Sequence, residues 1–120
     1  MKPAINDTKF GSITIAGREY KHDMLIRADG TVEKRKKQLS KVIYGTSHVI
    51  SLDEAKYLYE AGNELLIIGS GQTGMVELSD EAADFFKMKG CKVKLLPTPQ
   101  AIAKWNEAQG KTTGLFHVTC

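Results

Sequence analysis

The chain has 120 residues, of which 42% are hydrophobic and 26% are charged, and its formal net charge is +3. This length predicts one domain with an ordinary hydrophobic core. No apolar stretch approaches the ~20 residues of a membrane span, and residues 1–11 lack the apolar region of a secretory signal. Cys91 and Cys120 match neither a metal pattern nor a disulfide framework, so we expect a reducing, cytoplasmic setting.

The first half of the chain is predicted to be β structure. Residues 10–16 alternate polar and apolar side chains, which is typical of a strand. A second strand is predicted over residues 20–27, and Asp29-Gly30 then favours a hairpin turn because both residues tolerate positive φ. Residues 31–35 would form the returning strand, and residues 36–47 would form a polar connection.

The second half alternates helices and strands. Ser51 and Glu54 have capping-box spacing, which predicts a helix over residues 51–61. Four consecutive apolar residues at 65–68 favour a strand buried on both faces. A second helix is predicted at 80–89. A third begins with Thr98 as its N-cap and ends at Gly110. Two further strands are predicted at 91–96 and 115–119. The order predicts a single α/β domain over residues 1–120. Its three layers would be a central mixed, mainly parallel sheet with flanking helices, plus an N-terminal antiparallel β portion.

Three glycines after the buried strand have the GxGxxG spacing of a dinucleotide-binding loop. They are Gly69, Gly71 and Gly74. The spacing is not sufficient, because such a site needs a helix that opens directly from the loop and an acidic residue after the next strand. Here the next N-cap signal is Ser79, and residues 97–99 contain no carboxylate. We therefore predict no cofactor. Two interpretations stay open: turn glycines, or a nest of backbone N–H groups that binds an anion.

Catalytic and metal-binding sets are not evident in the sequence. On a strand, His117 and Cys120 would lie on opposite faces, which argues against a nucleophile–base pair. His22, His48 and His117 lack the spacing of a short metal motif. We therefore predict no catalytic residues and no metal site. His48 is the most interesting histidine, because it lies in the loop before the first predicted helix.

Positive charge is concentrated in the first half of the chain. Residues 1–50 contain ten basic and five acidic residues, whereas residues 51–120 contain seven and nine. The basic run at 34–37 is predicted to be a solvated surface. Nucleic-acid binding would need a larger basic stripe or interleaved aromatic side chains, so the sequence argues against it. An anionic protein partner stays open.

Three segments in combination resemble one small protein family: IIGSGQTGMVELSDEA, then GCKVKLLPTPQAIAKWNE, then LFHVTC. The family includes the mammalian adipogenesis-associated domain protein and a mitochondrial respiratory complex I assembly factor, and the resemblance covers nearly the whole chain. It implies a single three-layer α/β domain. No established activity comes with it. The resemblance singles out the glycine loop together with Thr98, Asn106 and His48.

Two functions of different class follow as hypotheses. The first is a non-enzymatic protein-interaction or assembly domain. The alternative is a small anionic-ligand-binding protein or enzyme that uses the glycine loop. The candidate ligand-binding residues are Gly69, Ser70, Gly71, Gln72, Thr73, Gly74, Thr98, Asn106 and His48. Nucleic-acid binding through residues 34–41 is a third and weaker hypothesis.

Overall fold

The computed structural model describes residues 2–120. Its strands are β1 (Ile5–Lys9), β2 (Ser12–Ile15), β3 (Arg18–Tyr20), β4 (Met24–Ile26), β5 (Val32–Lys34), β6 (Val49–Ile50), β7 (Leu65–Ser70), β8 (Glu77–Leu78), β9 (Lys92–Leu96) and β10 (Thr112–His117). Its helices are α1 (Gln38–Tyr44), α2 (Leu52–Leu58), α3 (Asp80–Met88) and α4 (Thr98–Glu107). In residues 2–120, no helix has the length and apolar character needed to cross a bilayer.

A five-stranded mixed sheet forms the centre of the molecule, in the order β5-β4-β10-β7-β9. Strands β10, β7 and β9 pair in parallel, whereas β4 pairs antiparallel with both β10 and β5. The strand β10 comes last in the sequence, yet it lies between β4 and β7. The first three strands form a separate antiparallel sheet, and β6 and β8 form a short parallel pair. These features confirm the predicted mixed α/β fold with an N-terminal antiparallel portion.

Each face of the central sheet carries its own hydrophobic core. Leu66, Ile68 and Leu115 pack on one side with residues from α2 and α3. Ile67 and Phe116 pack on the other side with residues from α4 and the N-terminal sheet. Neighbouring strand residues therefore face opposite cores, which explains the unbroken apolar run at 65–68. The result is three layers, with the sheet in the middle.

Three local predictions were wrong. Residues 36–47 were predicted to be an irregular polar connection, but they contain the helix α1. The predicted strand at 20–27 is broken between β3 and β4 by residues 21–23, because β3 pairs in the N-terminal sheet and β4 in the central sheet. The helix α4 begins at Thr98 with Pro97 as N-cap, so the Thr98 side chain is free for other bonds. The strands β1, β6 and β8 were not predicted, and the helix predicted at 51–61 and the strand predicted at 115–119 are observed at Leu52–Leu58 and Thr112–His117.

Candidate functional site

The glycine loop follows β7 at the carboxyl end of the parallel strands, and its backbone N–H groups are already bonded within the protein. Gly71 N–H donates to Thr98 Oγ1 at 2.9 Å. Gln72 N–H donates to the Thr119 carbonyl at 2.7 Å, and Met75 N–H donates to the Cys120 carbonyl at 3.1 Å. The loop therefore acts as a clamp on the segment after β10. An anion at these N–H groups would have to replace that segment.

Close packing explains two of the glycines. Gly71 has φ of +109°, and a Cβ on it would lie 2.1 Å from the Cys120 carbonyl carbon. A Cβ on Gly69 would lie 2.8 Å from Thr98 Oγ1. Non-bonded atoms do not approach this closely. A side chain at position 71 would therefore separate the loop from Cys120, and a side chain at position 69 would separate β7 from Thr98.

The other candidates around the loop have structural partners. Thr98 Oγ1 donates to the His117 carbonyl at 2.7 Å and so links α4 to β10. Thr73 Oγ1 donates to the Cys120 carbonyl at 2.8 Å. Gln72 Nε2 donates to Thr8 Oγ1 at 3.1 Å. Gly74 also has a positive φ, of 74°. The Ser70 hydroxyl is buried and has no hydrogen-bond partner among residues 2–120.

Asn106 and His48 lie apart from this clamp. The Asn106 side chain forms two 2.9 Å hydrogen bonds with the backbone N–H and carbonyl of Ile5, so it fixes β1 against α4. The ring of His48 packs edge-on against the ring of His117, with 5.3 Å between ring centres. The structure thus brings the loop together with Thr98 and does not bring Asn106 to it. Ligand binding by these residues stays a prediction.

His48 leads to a buried charge cluster that the sequence analysis missed. Arg35, 3% exposed, binds Glu54 through two hydrogen bonds, of 2.7 Å from Nε and 2.9 Å from Nη2. Its Nη1 donates to Asp23 Oδ2 at 2.9 Å, and its Nη2 also donates to the Ser47 carbonyl. Ser40 donates to Glu54 Oε1. One guanidinium therefore joins three parts of the chain: Arg35 itself follows β5, Glu54 lies in α2, and Asp23 precedes β4.

Asp23 extends this cluster to the end of β10. Its Oδ2 lies 2.7 Å from His117 Nδ1, and its Oδ1 accepts from the Val118 N–H at 3.0 Å. An ionised carboxylate can only accept, so His117 Nδ1 carries the proton. The other ring nitrogen, Nε2, lies 3.1 Å from Thr119 Oγ1. This is the arrangement that fixes the orientation and tautomer of a histidine.

The cluster keeps Asp23 and Arg35 charged. Burial by itself would raise the pKa of Asp23, but the His117 hydrogen bond and charge, the Val118 N–H and the Arg35 charge hold it below the ordinary 3.8. Burial likewise opposes the charge on Arg35, yet its bonds to Glu54 and Asp23 raise its pKa above the ordinary value. Two ion pairs and the hydrogen bond to the Ser47 carbonyl make this charge burial tolerable.

One signal for this cluster was present in the sequence. Alternation along an extended chain places Lys34 and Lys36 on one side and Arg35 on the other. The buried member of the run is the arginine, whose planar fork suits a carboxylate pair. The capping-box spacing predicted only a role at the start of a helix for Glu54. Its N–H does donate to Ser51 Oγ as a cap requires, but its carboxylate turns away to Arg35.

A cleft opens over this cluster. Its lining includes three exposed lysines, Lys21, Lys34 and Lys37, together with His48 and His117. In the part of the chain described, residues 2–120, no group of three His, Cys, Asp or Glu side chains is placed to hold a metal ion. The arrangement can attract and hydrogen-bond an anion.

The fold and the sequence match known proteins. Residues 5–114 match the family model described as a protein of unknown function, DUF498/DUF598. The chain belongs to the DUF498/DUF598 family. This agrees with the resemblance to one small family seen in the sequence.

Solved structures of other proteins share the whole fold. The crystal structure of conserved hypothetical protein PH1505 from Pyrococcus horikoshii OT3 is 34% identical over 100% of both chains, with a TM-score of 0.89. A structure named MT938 is 38% identical, covers 99% of this chain and 100% of its own, and has a TM-score of 0.82. A Bordetella pertussis protein described as a Mth938-like domain is 15% identical over 97% of this chain and 85% of its own. Its TM-score of 0.64 shows that it shares the fold.

Gly71→Ala tests whether the loop is a clamp. The added Cβ meets the Cys120 backbone and occupies an unfavourable φ, so the free energy of unfolding should fall by about 3 kcal/mol or more. The matched control is Gly90→Ala, where φ is +70° and nothing lies within 4 Å of the added Cβ; it should cost about 1 kcal/mol. Urea unfolding measures both. Equal losses in the two variants would contradict the clamp.

Arg35→Met tests the charge cluster. Removing the guanidinium leaves two buried carboxylates without their cation, which should lower the free energy of unfolding by about 3–5 kcal/mol. Lys37→Met removes an exposed cation two residues away and should change stability by less than about 0.5 kcal/mol. Denaturant titration at pH 7 compares them. A neutral Arg35→Met would show that the cluster does not hold the fold together.

Acid sensitivity should depend on Asp23. Because its pKa is lower in the folded state, its contribution to stability is complete above the ordinary 3.8 and is lost as the pH falls through the lowered folded value. Asp23→Asn should therefore flatten the fall in melting temperature below that pH, and Asp84→Asn, on the exposed face of α3, should keep the wild-type profile. Thermal unfolding across acidic pH measures this. Parallel profiles for all three proteins would refute it.

Proposed function

We propose that this chain is a single protein-interaction domain, residues 1–120, that binds an acidic partner protein through α1. The observation that carries the proposal is the exposure of three consecutive apolar residues on that helix. Val42 is 76% exposed, Ile43 52% and Tyr44 37%. Ser40 is the buried residue of α1. We call Val42, Ile43, Tyr44, Lys36 and Lys41 the α1 patch.

Helix geometry explains why this surface stays open. Consecutive helical residues point about 100° apart, so residues 42–44 span roughly 200° of the helix circumference and one neighbouring element cannot cover them all. A partner that covers the patch has to contact the helix from more than one side. Burying three such side chains would stabilise the fold by a few kcal/mol, at about 25 cal/mol per Å² of apolar area. Leaving them in water is typical of a surface that another protein covers.

Charge identifies the kind of partner. Lys36 and Lys41 flank the apolar residues, and α1 contains no acidic residue. The first fifty residues, which include α1, carry ten basic and five acidic side chains. A complementary partner surface would present apolar side chains surrounded by Asp or Glu, and such complementarity speeds association as well as selecting the partner.

Two further points support an interaction role over the alternative. The loop N–H groups that an anionic ligand would need are occupied by residues 119 and 120. The resemblance to a family that includes a mitochondrial complex I assembly factor favours an assembly-type role for this chain. The identity of the partner, a cytoplasmic location and the absence of catalysis remain predictions.

Site-specific crosslinking tests the α1 patch. A photo-crosslinking phenylalanine analogue is placed at Ile43, and in the control at Met88, which is 76% exposed on α3. In cells, the probe at position 43 should give one discrete heteromeric product that the probe at position 88 does not. Products at both positions, a crosslinked second copy of this chain, or crosslinked nucleic acid would overturn the proposal.

Binding measurements with the partner protein that crosslinking identifies, purified without the crosslink, complete the test. Ile43→Ser should weaken binding by about tenfold or more, as the loss of a central interface side chain does. Lys41→Glu should slow association, and the effect should fade at high salt. Met88→Ser and Lys87→Glu are the matched controls and should bind like the wild type. Equal losses in the controls would overturn the proposal.

A further inference from the structure

A second surface of the molecule is equipped for a different kind of ligand. The cleft at the carboxyl end of β10 lies over the buried charge cluster, and we call it the cationic cleft. Its rim is formed by Lys21, Lys34 and Lys37, and its wall includes His48 and His117. None of the loop or α1 residues discussed as binding groups above is needed to form it.

The charge in the cleft favours an anion. The cluster beneath it contains one guanidinium, Arg35, and two carboxylates, Asp23 and Glu54, so its fixed charge is −1, and the three rim lysines bring the cleft and cluster together to +2. The side chains of the three rim lysines are exposed and have no hydrogen bond or ion pair with another of residues 2–120. A cleft lined by one sign of charge concentrates ligands of the opposite sign.

Hydrogen-bond donors in the cleft remain available. The guanidinium has five N–H groups, and its four bonds to protein acceptors leave one on Nη1. The ring nitrogens of His48 bond to none of residues 2–120, although its backbone is fixed on both sides. The neighbouring His117 is held by Asp23 at 2.7 Å. The Arg35 and His117 side chains are therefore pre-oriented, and binding does not have to order them.

Size limits the ligand. The cleft holds about 180 Å³, which is below the roughly 300–1,000 Å³ of pockets for drug-sized molecules. A phosphate group or a small carboxylic acid fits this space, and both offer several acceptor oxygens to Lys and His donors.

We propose that the cationic cleft binds a small anion carrying a phosphate or carboxylate group, with its oxygens between His48, His117 and the lysines of the rim. The site is distinct from the glycine loop, whose N–H groups are occupied. It is also built from different residues than the α1 patch, because Lys21, Lys34 and His48 lie outside that patch.

Histidine-detected NMR tests the site on the whole chain. Inorganic phosphate and, separately, malonate are titrated into labelled protein at constant ionic strength and pH. At least one of the two anions should shift the ring signals of His48 and His117 and the Val118 amide in a saturable way. The phosphate and malonate arms distinguish the two anion chemistries. Shifts that do not saturate for either anion would overturn the proposal.

Matched variants separate a built site from general attraction. Lys21→Gln with Lys34→Gln should weaken binding by about thirtyfold, because two nearby charges at about 1 kcal/mol each sum to about 2 kcal/mol. The control pair Lys87→Gln with Lys89→Gln removes the same charge from the end of α3 and should leave the affinity unchanged. His48→Ala should also weaken binding while the fold remains intact by amide spectra. Equal losses in the control pair, or full binding by His48→Ala, would overturn the proposal.

A competition experiment with duplex RNA tests whether the cleft binds nucleic acid instead of a small anion. A polyanion that displaces phosphate from the cleft and binds more weakly in the Lys21, Lys34 variant would replace the small-anion proposal with a nucleic-acid one. Phosphate or malonate that stays bound in the presence of RNA supports the small-anion site.

Discussion

One arginine fixes the positions of four elements relative to one another. The guanidinium of Arg35, just after β5, joins Glu54 of α2 to Asp23 before β4, and Asp23 holds the end of β10 through His117 and Val118. Apolar packing does not specify this geometry, because hydrophobic contacts are not directional. A bidentate ion pair, by contrast, is favourable in only one relative orientation of its two groups. Burying charge is costly, so we assign the cluster a role in positioning more than in net stability.

The two proposed binding surfaces share one edge of the molecule. Lys37 precedes α1 and also lines the cationic cleft. A negative ligand in the cleft reduces the positive potential that an acidic partner meets at α1, and the partner has the same effect on the ligand. Such reciprocity follows from linkage between sites that share a field. The fold thereby places the two proposed binding surfaces within mutual electrostatic range.

Sequence patterns predicted the parts of the fold that depend on local order. The buried run at 65–68 and the caps at Ser51 and Ser79 follow from hydrophobic pattern and end signals. Helix α1 was missed because residues 42–44 stay exposed and so lack the amphipathic pattern of a helix with a buried face. Family membership was accessible from three motifs.

The candidate site was harder to predict, because its members are far apart in sequence. Asp23 and His117 are 94 residues apart, and Arg35 and Glu54 are 19 apart. Alternation separates Arg35 from the lysines on either side of it, but nothing local identifies Asp23 and Glu54 as its partners. The glycines were found easily, yet spacing alone could not show that their N–H groups are bonded to residues 119 and 120. That depends on where the segment after β10 lies.

The placement of β10 has a consequence for biosynthesis. This strand fills the gap between β4 and β7, and its register joins Phe116 to Met24 on one side and to Gly69 on the other. On the ribosome, β4 and β7 emerge before β10 and keep unpaired edges until β10 pairs with them. Until then the nascent chain exposes strand edges that are prone to aggregation. Closure of the sheet then requires pairing across some 90 residues, which makes it the slow, non-local step of folding.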